Sequence, residues 1–131
     1  YVQNQGAVFG IGQGQRAIFI AVSILAIAFL TFLFANSGRQ KLYQVLLGMR
    51  LAGVLGNLYD RLGLQGLKAE DGTTIYAVRD FLDFFFFNDS FHWATFNFAD
   101  TYLVVGGCML ALYSFLVPEA EPKPAPTPPT L

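Results

Sequence analysis

From Ala17 to Ala35 the sequence is apolar at every position but Ser23 and Thr31, and about twenty such residues suffice to cross the hydrocarbon core of a bilayer. Asn36-Ser37-Gly38-Arg39-Gln40-Lys41 follows, a turn with two cations that is too short for anything but an antiparallel return. Leu42 to Leu58 therefore crosses back, and Thr101 to Val117 forms a third span in which Gly106 and Gly107 offer close packing. These spans, about residues 17–35, 42–58 and 101–117, predict an all-α polytopic membrane protein. Its architecture is an antiparallel transmembrane helix bundle with a small extracytoplasmic β and loop region, residues 1–16 and 59–100, in one membrane-embedded domain over residues 1–117.

Composition agrees: only 13% of the 131 residues are charged and 54% are hydrophobic, against about 25% charged in an ordinary soluble domain. A net charge of −1, with Lys and Arg scattered rather than striped, gives no electrostatic case for nucleic acid. Cys108 is the single cysteine and lies in an apolar stretch, so one chain can build neither a disulfide framework nor a cysteine metal site, and Cys108 reads as inert packing. No cleavable signal peptide is visible and no initiator Met is present, so the sequence reads as beginning part-way through a longer protein.

The connecting segments carry turn signals. Tyr1 to Gln15 is too polar and Gly-rich to span and reads as a short strand and turns. Between Leu62 and Phe96 the chain leaves the membrane core. Gly63, Gly66, Asp71-Gly72 and Thr73-Thr74 mark a loop or hairpin, and Tyr76 to Asp80 reads as a strand returning to the surface. Phe81 to Phe87 is too short to span as a helix and reads as an interfacial segment, with Trp93 at headgroup level. All six prolines fall in the last stretch, so residues 118–131 read as an extended, disordered tail. There is no internal repeat. The short loop with Arg39 and Lys41 is expected in the cytoplasm and the Asp-rich region outside, although Arg16, Arg61, Lys68 and Arg79 then lie outside as well.

Polar chemistry enters the second span at Gly53-Val54-Leu55-Gly56-Asn57-Leu58-Tyr59-Asp60-Arg61. On a helix Asn57 lies three residues before Asp60 and four before Arg61, so the three share one face and one end, while Gly53 and Gly56 let another helix approach. Arg50 stands seven residues before Asn57. Two readings of it are open: it shares the Asn57 face and points into the bundle, or it snorkels toward the Arg39 side.

Asp60, Asp80, Asp83 and Asp100 all fall at or near one membrane face. Two carboxylates held close cannot both ionise cheaply, so one keeps a proton, and the pair can activate water and protonate a leaving amine. At a helix N-terminus Asp100 is favoured as the anion; Asp60 at a helix C-terminus is disfavoured and needs Arg61 or another cation. The alternative left open by spacing alone is that these acids cap helices and pair with arginines. His92 is the only histidine, so a zinc site would have to draw its other ligands from carboxylates, and no metal is expected. Ser90, Ser114 and Thr101 lack a nucleophile-elbow setting, and Gly10-Ile11-Gly12-Gln13-Gly14 lacks the features of a phosphate loop.

Four blocks together resemble the bacterial lipoprotein signal peptidases, signal peptidase II: Asn4 to Gly10 as NQGAVFG, Gly53 to Arg61 as GVLGNLYDR, Val78 to Phe84 as VRDFLDF, and Phe96 to Thr101 as FNFADT. The resemblance covers roughly Gln3 to Leu116. It implies an aspartic endopeptidase of the bacterial cytoplasmic (inner) membrane, with its site near the outer face, that removes the signal peptide from a prolipoprotein just before a diacylglyceryl-bearing cysteine. It further implies that Asp80 and Asp100 form the catalytic dyad, with Asn4, Asn57, Asp60, Arg61 and Asn97 in the polar shell that positions the peptide. Asp83 is a neighbour in the motif rather than its matching residue. No cofactor is implied; the implied partners are the lipid-modified signal peptide and membrane lipid, and a monomer is expected. Phe9, Phe81 and Phe98 are candidate walls of an apolar groove opening sideways to lipid.

Three departures stand out. Such enzymes have four spans where three are counted here, so the first is expected ahead of Tyr1; the stretch from Arg61 to Asp80 is long, which suggests an inserted hairpin; and Arg50 replaces an apolar residue. The competing class is a non-enzymatic membrane component, such as a small transporter or assembly subunit whose intramembrane acids relay protons or pair with a partner's cations.

Overall fold

A computed structural model describes residues 1–7, 11–86 and 91–117. Along these the chain runs β1 (Val2–Asn4), α1 (Arg16–Ala35), α2 (Lys41–Arg61), β2 (Val78–Asp80), β3 (Phe85–Phe86), β4 (Phe91–His92) and α3 (Phe98–Leu116). Phe9 and the proline-rich tail, both given expectations above, lie outside the described residues.

The return between α1 and α2 is fastened by side chains. Buried Ser37 donates to the Phe34 carbonyl at 2.6 Å and accepts from Gln44 Nε2 at 2.9 Å, so the loop's polar groups close on the helix ends. At the other end of the same pair, Arg16 Nε donates to the Arg61 carbonyl at 2.9 Å, satisfying one of the orphan acceptors at the C-terminus of α2.

Helices α2 and α3 pack antiparallel, because Gly53 lies against Ala99 and Leu103 while Gly106 lies against Arg50, Met49 and the Leu46 carbonyl. A Cβ on Gly53 would stand 2.6 Å from the Ala99 carbonyl oxygen and 2.7 Å from Leu103 Cγ, so only glycine permits this approach. The close packing anticipated for Gly53, Gly56, Gly106 and Gly107 is where the two helices meet. A small core of Leu30, Leu47 and Val54 joins the three helices, with Ala26, Leu103 and Leu110 against it.

The helix exteriors are apolar. Val22, Leu25 and Phe29 on α1 and Val104, Leu112 and Phe115 on α3 are exposed, an arrangement that suits lipid and not water. Among the described residues α1 and α3 combine the length and hydropathy needed to cross a membrane. Helix α2, expected as the span 42–58, has the length but not the hydropathy, since it carries Gln44, Arg50 and the polar end from Asn57 to Arg61.

The strands are short and local to one end. β1 pairs antiparallel with β2, Val2 opposite Asp80 and Asn4 opposite Val78, so both expected strands exist and each is the other's partner. β3 pairs antiparallel with β4, and an isolated bridge joins Leu82 to Phe96 below them. The stretch between Arg61 and Asp80 contains a hairpin, with Lys68 opposite Thr74 and Asp71-Gly72 at its tip.

One boundary and one placement correct the sequence reading. Helix α3 begins at Phe98 rather than Thr101, because Asn97 accepts from the Asp100 N–H while the Asp100 carboxylate accepts from the Asn97 N–H, a reciprocal capping box. Helix α2 runs past the expected span to Arg61, which leaves Asp60 in its last turn, as the spacing from Asn57 to Arg61 anticipates. Cys108 is exposed on α3 rather than packed inside.

Candidate active site

The C-terminal end of α2, the N-terminal end of α3, and β2 converge on a knot of amides and carboxylates. Asp80 ends β2 with 3% of its surface exposed. Its Oδ1 accepts from Asn97 Nδ2 at 2.8 Å and its Oδ2 from Asn4 Nδ2 at 2.9 Å. Asn97 Nδ2 donates its second proton to Asn57 Oδ1 at 3.1 Å, and Asn57 Nδ2 donates to Asp100 Oδ1 at 2.8 Å. Asn97 and Asn57 thus form a relay of two amides that runs from one carboxylate to the other.

Each position follows from a local cause. Asn97 is the N-cap of α3, so its extended backbone turns its side chain back over the first turn, and Asp100 is the third residue of that turn. Asn57 is buried on α2, one turn before Asp60, and reaches across because Gly53 and Gly56 let α3 come close. Asn4 reaches Asp80 from the neighbouring strand β1, and its Oδ1 accepts from the Gly6 N–H at 2.9 Å, which folds the chain after the strand. Arg61 Nη2 donates to the Gly6 carbonyl at 2.8 Å, and its guanidinium lies 4.9 Å from the centroid of the Phe19 ring.

Asp80 and Asp100 both line one cavity of about 690 Å³. Its remaining walls are largely apolar: Val22 and Ala26 of α1, Leu103 and Val104 of α3, and Phe84 and Trp93 of the aromatic hairpin. Burial pushes the Asp80 carboxyl above the ordinary aspartate range, with the nearby Asp100 charge acting in the same direction and the amides of Asn4 and Asn97 and the Arg61 charge opposing it. A buried carboxyl pushed above its ordinary range and a second carboxylate at a helix N-terminus form a pair able to exchange a proton with a bound reactant.

The residues expected to gather here do so, with corrections at the edges. Asp60 is close by but does not line the large cavity, and of the cations left open for it the partner is Arg79: Arg79 Nη2 and Nε reach its two carboxylate oxygens at 2.8 and 3.0 Å. Nothing local in the sequence assigns Arg79 this role. Phe81 and Phe98 do not wall the large cavity; they pack edge to face, centroids 5.6 Å apart, on a smaller pocket of about 220 Å³. Strand alternation is the reason, since Val78 and Asp80 face the large cavity and Arg79 and Phe81 face the other way. Asp83 pairs with His92 at the exposed hairpin. Among the described residues no group of three or more metal-ligating side chains occurs. Arg50 lies across α3 at Gly106 and Gly107, at mid-helix rather than snorkelled to an end, and its buried Nε has no hydrogen-bond partner among the described residues.

Residues 1–116 match the family described as signal peptidase (SPase) II. A lipoprotein signal peptidase of Rhodopirellula baltica is 38% identical over 114 residues, covering 86% of this chain and 51% of that protein. The lipoprotein signal peptidase of Halothermothrix orenii is 35% identical over 113 residues, covering 86% and 66% respectively. That of Serratia proteamaculans is 38% identical over 124 residues, covering 90% and 65%. The chain belongs to the signal peptidase II family. A solved bacterial membrane enzyme has the same fold as this signal peptidase II chain, with a TM-score of 0.67 at 31% identity over 88% of this chain and 62% of that one. The chain spans about half to two thirds of the length of these signal peptidase II relatives.

Proposed function

We propose that this signal peptidase II chain is an aspartic endopeptidase that removes signal peptides from prolipoproteins, cutting before a cysteine that bears a diacylglyceryl group. The observation that carries the reading is the pair of carboxylates, Asp80 and Asp100, opening into one apolar-walled cavity and joined by the Asn97–Asn57 relay. In this reading Asp80, whose buried carboxyl is pushed above the ordinary aspartate range, carries the shared proton and donates it to the leaving nitrogen, while Asp100, at the N-terminus of α3, takes a proton from the attacking water. The tetrahedral intermediate collapses as the C–N bond breaks, and the two carboxyls end with their protons exchanged.

The surroundings support a lipid-borne substrate. A signal helix and two acyl chains bring mostly apolar surface, and the cavity meets them with Val22, Val104, Phe84 and Trp93 while Asp80, Asp100 and the amides of Asn4 and Asn57 line it as well. Asn4, Asn57 and Asn97 hold the carboxylates, and Arg61 anchors the chain after β1 through Gly6. In this reading residues 1–117 form one membrane-embedded antiparallel bundle. Arg39 and Lys41 face the cytoplasm of a bacterial cell, the strands and the site stand at the outer face, and the enzyme works as a monomer.

The test is cleavage by the full-length protein in detergent of a prolipoprotein with and without the diacylglyceryl group, each with and without a metal chelator. Cleavage of the modified substrate alone, unaffected by chelation, is expected. Loss of cleavage on chelation, or equal cleavage of the unmodified substrate, would overturn the mechanism or the substrate class respectively.

A further inference from the structure

We infer that Arg79 is a positioning residue for the reaction: through Asp60 it fastens β2 to the last turn of α2 and so fixes where Asp80 stands relative to Asp100. The inference rests on reading those two aspartates as the reacting pair. It begins with Asp60, 6% exposed in the last turn of α2, where the helix dipole opposes an anion. A carboxylate buried there is costly without a cation, and the adjacent Arg61 is turned away toward Gly6 and Phe19.

Arg79 supplies three bonds to that one carboxylate. Nη2 donates to Oδ1 at 2.8 Å, Nε donates to Oδ2 at 3.0 Å, and the Arg79 backbone N–H donates to Oδ2 at 3.0 Å. The two side-chain bonds use the planar fork of a guanidinium, a geometry that an ammonium group cannot reproduce. Because one of the three bonds comes from the backbone of the residue next to Asp80, the clamp holds the strand itself and not merely a side chain.

Geometry then makes α2 the common ruler. Asn57, three residues before Asp60, holds Asp100 through Oδ1 at 2.8 Å, while Asp60 holds the strand that ends in Asp80. One helix therefore carries both members of the pair, one on each side of a single turn. Arg79 points away from the cavity, so the strand is gripped from behind and Asp80 is left free to face the substrate. The strand needs the grip: β1 and β2 pair over only three residues each, and a two-stranded pairing of that length is marginal by itself.

The experiment measures kcat, KM and the pH dependence of kcat for full-length Arg79→Gln and Arg79→Lys in detergent, with Asp80→Asn assayed in parallel. Arg79→Gln is expected to lower kcat by about 10²-fold with KM within about twofold, the loss expected when reacting groups are misplaced by about 1 Å. The two apparent pKa values of the kcat profile should draw together as the carboxyls separate. Arg79→Lys keeps the charge and the backbone bond and is expected to recover only part of the loss, with the same sign of shift in the profile; it carries the test if Arg79→Gln does not fold. An unchanged kcat in a folded variant, or a loss of kcat with the pH profile unmoved, would overturn the positioning role. Activity in Asp80→Asn would instead overturn the reading of the pair, so the two failures are distinguishable.

Discussion

Asp80 and Asp83 stand three residues apart on one stretch of chain, yet they belong to two regions built on opposite terms. At the closed end, where α2, β2 and α3 meet, Asp80 is buried and both its oxygens accept from amides whose own positions are fixed by a helix cap and a strand pair. At the aromatic hairpin Asp83 is exposed and pairs with His92, whose ring stacks on Phe85 at a centroid distance of 4.5 Å. The first region holds carboxyl chemistry in place by hydrogen bonds; the second presents aromatic faces, with Phe84 and Trp93 toward the cavity and Phe85 and Phe91 exposed. Sequence proximity does not make two acids equivalent: burial and partner count do.

The largest effect expected from breaking the closed end is on turnover. Asn97→Leu removes the cap of α3 and the donor to Asp80 together, and should lower cleavage by about 10²-fold, with a loss of stability of about 1–3 kcal/mol from the cap and the polar groups left without partners. His92→Gln in the hairpin, an exposed residue that pairs with Asp83 and does not line the cavity, should leave both unchanged. Cleavage and thermal unfolding in detergent measure the pair, and equal effects at the two sites would erase the distinction.

The second effect is on packing. Gly53→Val places atoms where the Ala99 carbonyl and Leu103 already stand, and should destabilise the protein by about 1–3 kcal/mol, read as a lower unfolding midpoint. An unchanged midpoint would mean that α2 and α3 do not meet as closely as described.

The third is a pH signature. The Asp80 pKa is raised in the folded state, so folding favours its proton: that contribution is fully present below the unfolded aspartate value of about 3.9 and is lost as pH rises through the folded value. The Asp80 contribution to the unfolding midpoint, read as the difference between wild type and Asp80→Asn, should therefore fall with pH across that window. Asp80→Asn should remain folded at neutral pH; a difference that does not fall with pH would assign the proton elsewhere.

The smallest effect belongs to the hairpin. Asp83→Asn should change turnover by less than about twofold and stability by less than about 0.5 kcal/mol, because an exposed pair contributes little. A loss comparable to that of Asn97→Leu would move Asp83 into the site.

What the sequence made legible follows from what is local. Hydropathy and the six-residue turn located the first two helices, and motif blocks located Asp80, Asp100 and the amides around them. The start of α3 was also legible, because Asn97-Phe98-Ala99-Asp100 is a variant of the capping box with Asn and Asp in place of Ser or Thr and Glu, but hydropathy alone placed the boundary at Thr101. Partner choice was not. Asp60 needs a cation, and nothing local chooses Arg61 beside it over Arg79 nineteen residues on; the choice is made when β2 docks against α2. The alternation of Val78, Arg79 and Asp80 carried half of that information, since it sends Arg79 away from the face that Asp80 occupies. Arg50 shows the same limit, for its position against Gly106 and Gly107 depends on the crossing of two helices.

The pairing of Asp80 with Asp100 is tested most directly by a double-mutant cycle on cleavage. Turnover of the diacylglyceryl-modified prolipoprotein is measured for full-length wild type, Asp80→Asn, Asp100→Asn and the double variant, with folding checked for each. Two groups that act as one unit on one water should each cost about 10³-fold or more when changed alone, and the double variant should be scarcely slower than either. Retained cleavage in either folded single variant, or losses that multiply in the double variant, would contradict the dyad.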